Sequence, residues 1–126
     1  MATCVFCERI AGADYRWAND EAVAFPDAFP VSPGHTLVVS RGHEPDFFAL
    51  EPTTRAAMWT IVDVVKADLT VDLSPDGFNI GVNVGAQAGQ TVSHAHLHII
   101  PRFEGDVPDP RGGIRWVIPD RAAYWC

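Results

Sequence analysis

The chain has 126 residues, 48% of them hydrophobic and 20% charged, with a formal net charge of −7. That is enough for one hydrophobic core and too little for two, so residues 1–126 are read as a single domain. The acidic balance and a single lysine, Lys66, argue against binding nucleic acid through clustered cations. No apolar run approaches the roughly 18 residues of a membrane span. The first residues show no basic stretch leading into an apolar one, so a cytoplasmic location is expected.

Cys4 to Ala11 reads as a short helix ended by Gly12, with Val5, Phe6 and Ile10 as its apolar positions, suited to covering one edge of a sheet. Glu21 to Phe25 reads as a strand that stops at Pro26. Val31-Ser32-Pro33-Gly34 is turn chemistry leading into a buried strand, His35 to Ser40, which makes the pair a hairpin. From Thr53 to about Val71, Met58, Ile61, Val62, Val65 and Leu69 recur at three- and four-residue steps, as on the buried face of an amphipathic helix that starts near Pro52. Phe78, Ile80, Val82 and Val84 alternate with small or polar residues, as in a half-buried strand, and Gly85 to Gly89 makes a turn. Beyond Arg102 the chain is rich in Gly and Pro. Residues 104–126 read as a loop or tail whose Ile114, Trp116, Val117, Ile118, Tyr124 and Trp125 carry enough apolar surface to pack on the body or on a second subunit.

The chemistry is concentrated in His94-Ala95-His96-Leu97-His98, which holds three of the five histidines. On a strand these rings share one face at steps of about 6.5 to 7 Å, while Ala95, Leu97 and Ile99 share the other. Three imidazoles buried without partners would be costly, so the array is expected to line a solvated pocket. Either the rings chelate a metal, or one attacks an electrophile while its neighbours handle charge and protons. The turn glycines, Gln90, Thr91 and Ser93 just upstream can approach and hydrogen-bond a phosphate, which favours a phosphoryl substrate. Cys4-x-x-Cys7 alone is half of a zinc site, with free buried cysteines as the alternative. Arg102, Arg111 and Arg115 either meet the distal phosphates of a long substrate or face solvent. Cys126 is assigned no role.

Gly89 to Arg102 resembles the signature of the histidine triad (HIT) proteins, as do Ala24-Phe25-Pro26-Asp27, Pro33 to Val39 and Gly77-Phe78-Asn79-Ile80, in the family's order, over residues 4–106 or so. The resemblance implies an α+β fold: an antiparallel sheet of about five strands with one long helix and one short N-terminal helix, in a homodimer joined edge to edge. It also implies a nucleotide hydrolase or transferase working through a nucleotidyl-histidine. By similarity, His96 is the nucleophile, His98 stabilises the phosphoryl oxygens, and His35 is a further pocket histidine. Asp27 would hold ribose hydroxyls, Val5, Phe6 and Phe25 would wall a purine, and Asn83, Gln90 and Thr91 would meet the phosphate and leaving group. Bacterial members that share the cysteine pair imply a structural Zn²⁺ on Cys4, Cys7, His43 and His94, which removes His94 from catalysis; no organic cofactor is implied. Gly105-Asp106 is similar to the dinucleoside polyphosphate hydrolases of the family, which makes that the first substrate class, with adenosine phosphoramidates next. A non-catalytic nucleotide-binding adaptor and a zinc hydrolase using the histidine array are the competing classes.

Overall fold

The computed structural model describes residues 3–125; Met1, Ala2 and Cys126 lie outside the described residues. Five strands form one antiparallel sheet: β1 (Trp17–Ala18), β2 (Ala22–Pro26), β3 (Thr36–Ser40), β4 (Gly77–Val82) and β5 (His96–Arg102). Their spatial order is β1-β2-β3-β5-β4. With the short helix α1 (Val5–Ala11) and the long helix α2 (Pro52–Leu73), this is the expected α+β architecture. Strand β1 has no counterpart in the sequence reading, because two residues are too few to show an alternation.

Helix α2 covers one face of the sheet. The residues at three- and four-residue steps, Met58, Ile61, Val62, Val65 and Leu69, are all buried, and they meet Ala22, Ala24, Val38, Leu97 and Ile99. Full burial of each large side chain contributes about 1.5–3 kcal/mol, so this layer dominates the core. Strand alternation sends Val23, Phe25, Leu37 and Val39 to the opposite face, where they pack with Phe6 of α1. Helix α1 therefore lies over a face of the sheet rather than along an edge, and Phe6, not Val5, is its inward anchor: Val5 is 54% exposed.

Two boundaries differ from expectation, each for a hydrogen-bonding reason. Strand β4 ends at Val82, whose partner on β5 is Leu97, so Val84 is not in the ladder. Strand β5 begins at His96 rather than His94, because the Ala95 N–H is given to the Glu44 carbonyl at 2.7 Å. The chain is thus drawn away from the ladder just before the strand.

The β2–β3 turn is seated on the end of α2. Gly34 has φ +86°, and a Cβ there would lie 2.7 Å from Leu73 Cδ1 and 3.1 Å from Pro101 Cγ, so both the backbone and the space require glycine. After β5 the chain forms a 3-10 turn at Gly113–Val117 and a single helical turn, α3 (Pro119–Ala122). Ile114 reaches the β4 side of the sheet, with its Cδ1 4.0 Å from where a Cβ of Gly81 would stand. Ile114, Val117, Ile118 and Tyr124 nevertheless remain exposed. No helix among the described residues is long and apolar enough to cross a membrane.

Candidate active site

Cys4 precedes α1, Cys7 lies one turn later, His43 follows β3, and His94 sits at the approach to β5. Four donor atoms converge. His94 Nδ1 is 3.3 Å from Cys4 Sγ, 3.6 Å from Cys7 Sγ and 3.3 Å from His43 Nδ1, and Cys7 Sγ is 3.4 Å from His43 Nδ1. A tetrahedron with Zn–N near 2.05 Å and Zn–S near 2.3 Å has N···N and N···S edges of about 3.3 and 3.6 Å, so the donor set has zinc dimensions. The protonation pattern agrees. His94 Nε2 lies 2.7 Å from the Ser40 carbonyl, which can only accept, so Nε2 carries the proton and Nδ1 presents its lone pair to the cluster. Burial, followed by the adjacent Cys4, pushes the Cys7 thiol up, so a cation is what would hold the pair as thiolates.

The other two histidines of the array are assigned by the same logic. His96 Nδ1 lies 2.7 Å from the His94 carbonyl and must donate to it, which leaves the lone pair on His96 Nε2. No buried side-chain nitrogen or oxygen among the described residues lacks a partner, so this unbonded nitrogen reaches solvent. His35 Nδ1 accepts the Val31 N–H at 3.1 Å, which puts the proton of the neutral His35 ring on Nε2. That proton is donated to His98 Nδ1 at 2.9 Å, so His98 carries its own proton on Nε2. The ring centroids of His96 and His98 are 5.1 Å apart. The result is a bare nitrogen on one ring beside an N–H on the next.

Burial, then the His96 and His35 rings, push His98 down to about 4, with Asp27 pulling weakly the other way. Burial lowers His35 as well, opposed by Asp27. Both rings are therefore neutral near pH 7, as the hydrogen-bond chain requires. Asp27, His35 and His98 also bring three potential ligand atoms within 4.8 Å of one another. A cation there would need the lone pair of His35 Nε2, and the Val31 N–H leaves that position protonated, so this group is a hydrogen-bond relay and not a metal site.

The three histidines do not share one solvated pocket. His94 is fully buried and turned to the cysteines, His96 is 7% exposed, and His98 is half-buried against His35. Phe6 explains the burial of His96: its ring packs edge-to-face on His96 at 5.0 Å and on Phe25 at 5.5 Å. Phe25 is buried in turn, with Arg9 over its ring at 4.0 Å. Asp27 is half-buried, its Oδ1 accepting the Phe29 N–H at 2.8 Å and its Oδ2 lying 3.4 Å from His35 Nε2. Gln90 ties the turn together, accepting from the Gly85 N–H and donating to the Pro45 and Val92 carbonyls. Asn83 is half-buried just past the end of β4, and Thr91 is exposed.

The arginines are already engaged. Arg102 pairs with both carboxylate oxygens of Asp106 at 2.8 Å and donates to Asn79 Oδ1, Arg111 pairs with Asp109, and Arg115 donates to the Ala122 and Arg121 carbonyls. None is left unpaired for distal phosphates. Sequence reasoning missed the Ser40 and His94 carbonyls and the Val31 N–H, which set the ring tautomers; main-chain groups carry no residue-type signal.

The HIT domain family model matches residues 13–105. An uncharacterized HIT-like protein of Saccharolobus solfataricus is 39% identical over 109 residues, 84% of this chain and 78% of that one. An adenylylsulfatase of Arabidopsis thaliana is 37% identical over 82% of this chain and 54% of its own length, and an asymmetrical bis(5'-nucleosyl)-tetraphosphatase of Schizosaccharomyces pombe 38% over 75% and 52%. A HIT-like protein of Mycobacterium tuberculosis aligns over 124 residues at 35% identity, 95% of this chain and 86% of its own, so its similarity extends through the tail. Among solved structures, a zinc-bound histidine triad protein of Mycobacterium smegmatis superposes with a TM-score of 0.75 at 34% identity, covering 85% of this chain and 84% of that one. With the family model spanning most of the chain and the histidine face built as described, the chain belongs to the HIT domain family.

Proposed function

We propose that this chain is a nucleotide hydrolase that cleaves at the α-phosphate through a nucleotidyl-His96 intermediate. The observation that carries the reading is the pairing of tautomers: a solvent-reaching lone pair on His96 Nε2 beside a proton on His98 Nε2. His96 Nε2 attacks phosphorus, the bond to the leaving group breaks with its electron pair on that group, and His98 donates to the phosphoryl oxygens. An anionic phosphate beside His98 favours its protonated form, so the ring can also carry the proton the leaving atom takes. Water then attacks phosphorus, releases the nucleoside monophosphate, and returns the lone pair to His96. Asp27 is assigned to the ribose hydroxyls, Val5, Phe6 and Phe25 to the purine, and Asn83, Gln90 and Thr91 to the phosphate and leaving group.

The resemblance at Gly105-Asp106 supports a dinucleoside polyphosphate, and the fission yeast relative bears the name of such an enzyme. One observation favours the second class, adenosine phosphoramidates: the Arg102 guanidinium is occupied by the Asp106 carboxylate itself. A structural Zn²⁺ on Cys4, Cys7, His43 and His94 belongs to the same proposal, supported by the donor spacing and the zinc-bound neighbour. When bound, it would cross-link α1 to the approach to β5 with no open position for chemistry. A homodimer joined edge to edge, a cytoplasmic setting and a single domain with a wrapping tail complete the proposal.

The test is an acid-quenched reaction with diadenosine tetraphosphate, adenosine phosphoramidate and adenylyl sulfate, followed by intact-protein mass. The expected result is an AMP-sized adduct in the wild type and none in His96→Asn, with turnover lower by about 10⁴-fold or more. Nucleotide binding with no adduct would establish an adaptor instead. Turnover that survives His96→Asn and is abolished by chelators would establish a zinc hydrolase.

A further inference from the structure

We infer that residues 107–116 wall a leaving-group subsite, and that this subsite takes an uncharged aromatic or apolar group rather than a chain of phosphates. The inference rests on the His96 reading above and concerns a segment that lies beyond the matched family domain, residues 13–105.

A cavity of about 500 Å³ opens on the histidine face of the sheet, lined by Val31, Asn79, Ile100, Arg102, Val107 and Trp116 among others. Its size falls within the range of small-molecule sites. Ile100 follows His98 by two residues on β5, so both side chains project from the same face, and the cavity starts about 6.5 to 7 Å beyond His98. Val31, on the opposite wall, supplies the N–H that sets the His35 tautomer. His96 lies on one side of His98 along the strand and the cavity on the other. In-line displacement at a phosphorus held by His98 places the leaving group opposite the attacking His96 Nε2, which is the cavity side.

The tail is built to close this space. Gly113 has φ +46°, and a Cβ there would stand 3.1 Å from Asn79 Nδ2, so the tail lies close on β4 at a position that favours glycine. Ile114 reaches the row of Gly81, whose partner on β5 is His98. Trp116, 42% exposed, stands at the wall with its indole N–H donated to the Arg111 carbonyl at 2.7 Å, which fixes the ring and leaves its faces for contact.

The charged groups of the lining and the Ser32 hydroxyl are already engaged within the chain. Arg102 is held by Asp106 and Asn79 Oδ1, Asp109 by Arg111, and the Ser32 hydroxyl by the Pro101 carbonyl. Seating a polyphosphate would require breaking the bidentate Arg102–Asp106 pair and setting phosphates beside Asp106 and Asp109. An uncharged group requires neither, and meets Val31, Ile100, Val107, Pro110 and the Trp116 ring.

The experiment compares kcat/KM for three substrates: the adenosine phosphoramidates of 2-phenylethylamine and of ethylamine, and diadenosine tetraphosphate. The expected ratio of phenyl to ethyl substrate is about ten-fold or more, from the apolar area buried by a ring. Trp116→Ala is expected to lower that ratio several-fold. Asp106→Asn, which frees the Arg102 guanidinium, is expected to shift preference toward diadenosine tetraphosphate, and it tests the inference even if the tryptophan variant fails to fold. Equal rates for the two amidates, or a wild-type preference for the tetraphosphate, would overturn the subsite while leaving the His96 adduct in place. Absence of an adduct with all three substrates would instead overturn the catalytic reading.

Discussion

The two ends of the histidine strand are built on opposite principles. At the His94 end, two thiols and two imidazole nitrogens face one another at 3.3 to 3.6 Å, an arrangement with the dimensions to hold a shared cation. At the Arg102 end the charges that line the cavity have counter-charges within the chain: Asp106 answers Arg102 and Asp109 answers Arg111. One end gathers donors that a ligand could share, and the other has paired its cavity charges internally. Between them His96 and His98 form the segment where the charge of a substrate would be received.

The contrast can be broken first by stability. Cys7→Ser removes one of four donors from a site whose binding free energy is folding free energy, so the expected outcome is loss of bound zinc and a fall in Tm of about 10 °C or more. Asp106→Asn, at the solvent-exposed end, is expected to lower Tm far less; thermal unfolding of both variants with metal analysis is the check, and equal losses would erase the distinction. Next in size is the relay between the ends. His35→Asn removes the ring that holds His98 Nδ1, and is expected to lower kcat about 10- to 100-fold while KM changes little, measured as steady-state turnover beside the rate of adduct formation.

The smallest effect is a pH dependence. His98 is held neutral in the folded protein down to about 4, whereas an unfolded histidine takes up its proton near its ordinary value of 6.5. In the window between these values the unfolded state binds the extra proton, so stability falls as pH falls; above the window the contribution of the neutral ring is fully present. The slope attributable to His98 is the part that disappears in His98→Gln, read from urea midpoints across the window.

Much of the fold was legible because burial imposes a period. Met58, Ile61, Val62, Val65 and Leu69 could be read as one helix face because a helix on a sheet must bury one stripe. Leu97 and Ile99 could be separated from His96 and His98 because a strand alternates. Strand β1 was illegible, being too short to alternate, and the start of β5 was misplaced because the Glu44 carbonyl, far away in sequence, takes the Ala95 N–H. At the site the residue types were legible and their states were not. His94, His96 and His98 are chemically identical in sequence, and they become a zinc-directed ring, a bare nitrogen and a hydrogen-bond donor only through the Ser40 carbonyl, the His94 carbonyl and the Val31–His35 contact. Arg102, Arg111 and Arg115 could be read as free cations for the same reason: sequence shows a charge without its partner.

By itself, then, the amino-acid sequence determined a strand with a histidine face and an apolar face and a helix with one buried stripe, since both follow from side-chain period, while the antiparallel α+β arrangement was implied by the resemblance to the HIT proteins. Tertiary structure alone decided which ring nitrogen carries each proton, that the four Cys and His donors meet at zinc dimensions, and that the tail closes a neutral cavity beyond His98. These depend on main-chain groups and ion partners brought together from distant segments, and a lone pair or a neutralised charge exists only where such partners have met.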